Sequence, residues 1–113
     1  MPGHLSHGVV TLTGTSNVLN LGTLLQAAGV QLANTQVAFM ELQPFGANSG
    51  IVYIGASVTM STTNYGTRLE IPVSTVPQAP YRLPDTMLPC ALEDVYLIGT
   101  NTDKVSVLMQ LLL

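Results

Sequence analysis

Two histidines, His4 and His7, lie three residues apart near the start of the sequence. On a helix this spacing would place both imidazoles on one face, where they could chelate a metal ion. No Cys-x-x-Cys motif and no nearby carboxylate completes such a site. We therefore interpret the pair as solvated histidines on a terminal segment and predict no metal site.

Cys90 and the adjacent carboxylates of Glu93 and Asp94 are the next candidates for catalytic chemistry. Cys90 follows a proline and has no histidine or basic neighbour that would favour the reactive thiolate, so we predict a small buried apolar residue. As the single cysteine of the sequence, it cannot form an internal disulfide. Neighbouring strand residues point to opposite faces, so Glu93 and Asp94 would not share a proton as a catalytic pair does.

A Ser/Thr-rich stretch at 57–63 follows Gly55 and invites comparison with a phosphate-binding loop. A P-loop ends in Gly-Lys-Ser/Thr and opens a helix, because backbone N–H groups and the lysine hold the phosphates. This stretch has neither feature, so we predict a turn between two strands. With no set of nucleophile, histidine and acid, the sequence predicts a protein that is not an enzyme and needs no cofactor.

Charge is scarce in this chain and acidic on balance. Its 113 residues include three Lys and Arg against six Asp and Glu, which gives a net charge of −3. Nucleic-acid binding needs clustered cations, whereas Arg68, Arg82 and Lys104 are scattered. No apolar run approaches the roughly 20 residues of a membrane span, and no signal-peptide pattern is visible. We therefore expect neither a nucleic-acid nor a membrane partner.

The composition favours burial of the surface against other molecules. Only 8% of the residues are charged and 47% are hydrophobic, while the length fits one domain, 1–113. Nine charged side chains are too few to make the exterior of such a domain well solvated. A neutral, Thr-rich and poorly soluble monomer is one interpretation, and a subunit of an assembly is the one that we favour.

Short β segments separated by Gly, Pro and Asn turns dominate the sequence, which predicts an all-β fold, an antiparallel β-sandwich or jelly-roll. Strands are expected at 9–13, 36–43, 51–54, 67–73, 94–100 and 104–112. The last two are expected to form a hairpin around 99–103. The apolar run 51–54 is typical of a strand buried on both faces. The predicted core comprises Val52, Ile54, Val95, Leu97, Val105 and Val107, followed by Ile98 and Leu69.

One segment has helical spacing. Its apolar residues fall at i, i+3, i+4 and i+7: Leu21, Leu24, Leu25 and Ala28. We expect one short helix over 21–28, with Asn20 capping its start and Gly29 its end. A helix of about two turns is marginal alone, so docking on a sheet must hold it.

An extended N-terminal segment (1–8) and a Pro-rich arm (76–89) are the parts expected to reach partners. The arm contains four prolines and is predicted to be an extended segment or long loop that belongs to no strand. The arm either covers its own domain or clasps a neighbouring subunit. Its prolines would reduce the conformational entropy that the arm loses on binding. The candidate partner contacts are its large apolar residues: Tyr81, Leu83, Met87 and Leu88.

Four stretches carry a resemblance to a known family: 48–55 (NSGIVYIG), 61–66 (STTNYG), 93–100 (EDVYLIGT) and 103–108 (DKVSVL). Their order and spacing resemble those of small β-sandwich virion proteins of tailed bacteriophages, the capsid decoration or cement proteins. The match covers about half the chain. The first 35 residues and the Pro-rich arm depart from the pattern.

The resemblance implies a structural virion protein, most simply a decoration protein that stabilises a phage head. Its partners would be the major capsid protein and copies of itself, as a homotrimer on the outer capsid surface, assembled in the host cytoplasm. Another virion role, in the head–tail joint, a fibre base or the tail surface, remains open. So does a carbohydrate-binding module for host attachment, although the chain has no Trp and Tyr53 and Tyr96 fall inside predicted strands.

Overall fold

The computed structural model describes residues 4–30, 36–70, 81–83 and 90–111. Across these ranges the chain forms nine strands, one α-helix (α1) and one turn of 3-10 helix at Leu92–Asp94. The bounds of the helix and strands are β1 His4–Thr11, β2 Leu19–Asn20, α1 Leu21–Ala27, β3 Gln36–Pro44, β4 Val52–Gly55, β5 Thr67–Leu69, β6 Tyr81–Leu83, β7 Cys90–Ala91, β8 Tyr96–Ile98 and β9 Lys104–Leu111.

The strands form two antiparallel sheets. The first sheet has the order β1-β9-β3-β6, and β7 also pairs with β3; the second has the order β2-β8-β4-β5. The prediction of an all-β fold with antiparallel sheets and one short helix is confirmed. In the described part of the chain, no helix is long and apolar enough to cross a membrane.

The inward residues of both sheets and of α1 belong to one hydrophobic core. Alternation along the strands creates it: on β9, Val105, Val107 and Met109 are buried, and the residues between them face away. All eight residues that we predicted as core are buried, and all except Ile98, which lies on the outward face beside Tyr53, belong to this core: Val52, Ile54, Leu69, Val95, Leu97, Ile98, Val105 and Val107.

β3 alternates only partly in sequence because it contains a bulge. Val37 pairs with Leu111 and Phe39 with Gln110, so Ala38 is an extra residue on this strand. The bulge resets the alternation, and both Val37 and Met40 remain buried.

The helix prediction is confirmed at both ends. The Asn20 side chain accepts a hydrogen bond from the Thr23 backbone N–H at 3.2 Å and donates one to the Glu93 carbonyl at 2.7 Å. At the other end, Gly29 has a φ of +87°, which a glycine adopts without strain. The Gly29 and Val30 N–H groups bond to the Gln26 and Leu25 carbonyls, as in a Schellman motif. Ala28, expected on the buried stripe, is exposed.

The predicted hairpin of the last two strands is wrong. β8 pairs with β2 and β4 in the second sheet, whereas β9 pairs with β1 and β3 in the first. Residues 99–103 therefore form a crossover between the sheets. The crossover is fixed by hydrogen bonds to the loop after β1, from Leu12 N–H to the Asp103 carbonyl and from Thr102 N–H to the Leu12 carbonyl, both 2.8 Å.

The prediction that the Pro-rich arm belongs to no strand is wrong for Tyr81–Leu83, which form β6. The three residues between Pro80 and Pro84 have backbone N–H groups that can pair, although the flanking prolines have none. Because β6 is an edge strand, it needs hydrogen bonds on one side only, and the prolines at its ends are tolerated. The N-terminal segment is extended as expected from His4 onward, but it pairs with β9 as part of β1. The rest of the arm lies outside the described residues.

Two further expectations need correction. β4 is not buried on both faces, because Tyr53 on its outward side is only half-buried. β5 ends at Leu69, and the rest of the predicted strand from 71 on lies outside the described residues. Arg68 and Glu70, two residues apart at the end of β5, form an ion pair between their side chains at 2.8 Å.

Candidate functional site

The described side chains among the residues singled out for chemistry do not come together in one place, and the side chains of His4 and Cys90 lie outside the described residues. His7 is exposed on β1, and because β1 is a strand, the spacing from His4 no longer matches one face of a helix. Glu93 and Asp94 are exposed in the 3-10 turn. Among the described residues, no three His, Cys, Asp or Glu side chains form a group that could hold a metal.

The Ser/Thr-rich stretch forms two turns between β4 and β5, as predicted. Ser57 Oγ accepts from the Thr59 backbone N–H at 3.2 Å. Ser61 Oγ accepts from the backbone N–H groups of Thr63 at 3.2 Å and Asn64 at 3.0 Å. These serine hydroxyls stabilise their own turns, which is the usual role of such residues in loops.

The four candidate partner contacts are placed only in part. Tyr81 and Leu83 lie on β6, at register positions opposite Leu42 and Met40 of β3. Their backbone is therefore tied to their own domain. Met87 and Leu88, like the side chains of the other two, lie outside what the structure describes.

A polar node built around two buried side chains, Asn48 and Asp103, joins the loop after β3 to the start of β9; its other residues are Ser49, Gly50 and Lys104. Asp103 Oδ1 accepts from Ser49 N–H at 2.9 Å and from Ser49 Oγ at 3.1 Å. Its Oδ2 accepts from Gly50 N–H at 3.0 Å. The Asn48 amide bonds both backbone groups of Lys104, accepting from its N–H at 2.8 Å and donating to its carbonyl at 2.9 Å.

This polar node is structural, because the Asn48 and Asp103 side chains form their hydrogen bonds with other residues of the node. Asn48 and Asp103 are 7% and 4% exposed, and the described chain contains no buried side-chain polar atom without a hydrogen-bond partner. Buried polar groups require such partners to offset their loss of hydration. Sequence reasoning placed both residues in turns and missed that the two turns meet.

The most distinctive surface is the outer face of the first sheet across β1, β9 and β3. Strand register arranges it in rows of three, Leu5–Gln110–Phe39, His7–Leu108–Glu41 and Val9–Ser106–Gln43. We call these nine residues the outer patch. Three of its four apolar members are exposed, Leu5 at 69%, Val9 at 41% and Leu108 at 40%, and Phe39 is half-buried.

The centre of the outer patch is concave. A shallow groove of about 230 Å³ lies along β1 and β9, with Leu108, His7 and Glu41 among the residues that line it. Leu108 is the residue that sequence reasoning missed: in the alternating β9 it is a leucine at an outward position. The apolar Leu108 at the centre is surrounded by both apolar and polar side chains, a mixture that is usual for protein-binding surfaces.

Gly8 explains how the opposite side of β1 is packed. A Cβ at Gly8 would overlap Val30 Cγ2 and come within 3.3 Å of Leu25 Cδ2. The absence of a side chain at this position therefore lets the end of α1 approach β1 closely. The strand that carries a third of the outer patch is supported from behind by the helix.

The chain matches none of the protein-family models and none of the curated proteins with which it was compared. Its function must therefore be inferred from its own surface, composition and sequence motifs.

Proposed function

We propose that the protein is a structural virion protein, a capsid decoration protein that stabilises the head of a tailed bacteriophage. It binds the major capsid protein on the outer surface of the shell, after assembly in the host cytoplasm. The observation that carries the proposal is the outer patch, where Leu5, Val9 and Leu108 remain exposed on adjacent strands. Exposed apolar residues grouped in this way on a sheet mark contact surfaces.

The scarcity of charge supports burial of this surface in an assembly. Arg68 and Glu70 pair with each other on the second sheet, and the polar node uses the Asp103 carboxylate internally. Attachment through the outer patch would therefore depend on apolar contact and hydrogen bonds, with few ion pairs. Such a surface suits a permanent place on a particle better than repeated encounters in solution.

The size of the outer patch supports binding by several copies together. Its rows span roughly 10 Å between the outer strands and roughly 14 Å along them, because strands lie about 4.8 Å apart and residues about 3.4 Å apart. A stable interface buries about 800 Å² on each partner, which is more than this area supplies. We therefore propose a homotrimer, in which linked copies raise the avidity without new contacts at each site.

Electron cryo-microscopy of the particle that contains the protein tests the assignment. We expect copies on the outside of the head at three-fold or quasi-three-fold positions, with the first sheet turned toward the shell. Copies found only in the tail, or an absence from purified particles, would contradict the decoration role.

A further inference from the structure

A second concave site lies on the side of the second sheet that faces away from the core. It is a cleft of about 320 Å³ at the end of the sheet where β4 begins and β8 ends. Tyr53 and Ile98, which are register partners, form its floor. Its walls carry four hydroxyl side chains from three loops: Thr15, Ser16, Thr62 and Thr100. We call it the Tyr53 cleft.

The Tyr53 cleft combines an aromatic ring with uncharged hydrogen-bonding groups. No acidic or basic side chain is among the described residues that line it. Tyr53 is half-buried, and the ring of Tyr65 packs against it edge-on, with centroids 4.8 Å apart and an interplanar angle of 63°. A hydroxyl both donates and accepts, so four of them can match a ligand that carries several hydroxyls.

We propose that the Tyr53 cleft binds a neutral saccharide unit. The apolar C–H face of a pyranose ring fits an aromatic ring, while its hydroxyls fit the threonine and serine walls. Ligand pockets range from about 300 to 1,000 Å³, so this cleft suits one or two sugar rings and not a long oligosaccharide. Although Tyr53 lies inside a strand, it is on the outward side, which the sequence did not reveal.

The walls of the cleft are held in place before any ligand arrives. Gly14 N–H donates to Asn101 Oδ1 at 2.8 Å, and Asn101 N–H donates to Thr15 Oγ1 at 3.2 Å. Ser16, at a φ of 65°, donates its N–H to the Gly99 carbonyl at 2.9 Å. These bonds link the loop after β1 to the crossover, and a preformed site loses less conformational entropy on binding.

The absence of a cation among the described residues of the lining argues against an anionic ligand. Arg68 is the register partner of Tyr53 on β5, but it does not line the cleft and its guanidinium is paired with Glu70 at 2.8 Å. A phosphate or carboxylate usually needs a positive group or a set of converging N–H donors.

A titration followed by ¹H–¹⁵N NMR tests the inference on the free protein. The probes are the methyl glycosides of glucose, galactose, mannose and N-acetylglucosamine, with inorganic phosphate as the anion control. At least one glycoside should give saturable shifts at the amides of Tyr53, Thr62, Gly99 and Thr100, with a Kd of about 1–10 mM. Phosphate should give none.

Matched variants assign the binding to the Tyr53 cleft. Tyr53→Leu should weaken binding at least tenfold, and Thr62→Val, an exposed and nearly isosteric change, should weaken it about threefold. Thr23→Val on α1 should leave it unchanged. The inference is overturned if no glycoside gives saturable shifts at these amides, if phosphate alone does, or if Thr62→Val and Tyr53→Leu both bind normally. The test does not involve capsids, so it stands apart from the decoration role.

Discussion

At the residue scale, the carboxylate of Asp103 shows how a short acidic side chain can organise two loops. It accepts two backbone N–H groups and one hydroxyl, all from Ser49 and Gly50. The backbone carbonyl of Asp103 also accepts a hydrogen bond from Leu12 N–H. Asp103 therefore connects the crossover, the loop after β1 and the loop after β3, which are far apart in sequence. The sequence shows a turn at each place but not that the turns are in contact, because contact depends on the path of β9.

Asp103→Ala is expected to lower the free energy of unfolding by about 2–3 kcal/mol. The substitution leaves three donors without their acceptor, and water can restore only part of the loss. Urea denaturation followed by circular dichroism measures the effect. The matched control is Asp94→Ala, an exposed carboxylate in the 3-10 turn, for which we expect about 0.5 kcal/mol or less. Equal effects of the two substitutions would show that the polar node contributes no special stability.

At the element scale, local patterns predicted which segments form strands but not which sheet each strand enters. β3, β4 and β9 and the capped helix α1 were predictable, because alternation, apolar runs and capping residues are local features. The crossover was mistaken for a hairpin because Gly99–Asp103 has the composition of a tight turn. The sheet that each strand enters is determined instead by the pairing of β8 with β4 and of β9 with β3. These pairings join residues far apart in sequence, so no local pattern contains them.

Docking of α1 against β1 gives a prediction at this scale. Gly8→Ala should lower the free energy of unfolding by about 1–3 kcal/mol, since the new methyl group meets Val30 and overpacks the contact. Val30 is β-branched and cannot turn aside without changing its χ1 rotamer. The same denaturation measurement checks it.

Gly46→Ala is the control for that substitution. A Cβ at Gly46 has no heavy atom within 4 Å, so its effect should stay within about 0.5 kcal/mol. If Gly8→Ala proves as harmless as Gly46→Ala, the helix is not held closely against the strand.

At the scale of the whole molecule, the two concave surfaces belong to different sheets and share no lining residue. The outer patch belongs to the outward face of the first sheet, and the Tyr53 cleft to the outward face of the second. We therefore propose that a subunit attached through the outer patch uses none of the residues that line the Tyr53 cleft for that contact. The exposed apolar residues follow from alternation, but alternation does not predict that β1, β9 and β3 pair and bring these residues side by side.

Binding of the purified protein to capsids assembled without it tests the central claim most directly. Leu108→Lys, which places a charge in the middle of the outer patch, should weaken binding about tenfold or more. Val58→Lys adds the same charge to an equally apolar and more exposed position, 64% accessible in the turn after β4, and should leave binding unchanged. Raising the salt from about 0.1 to 1 M should matter little, because screening weakens charge contacts and not apolar ones. If folded Leu108→Lys protein binds as tightly as the Val58→Lys control, or if salt alone releases the unmodified protein, the outer patch is not the attachment surface.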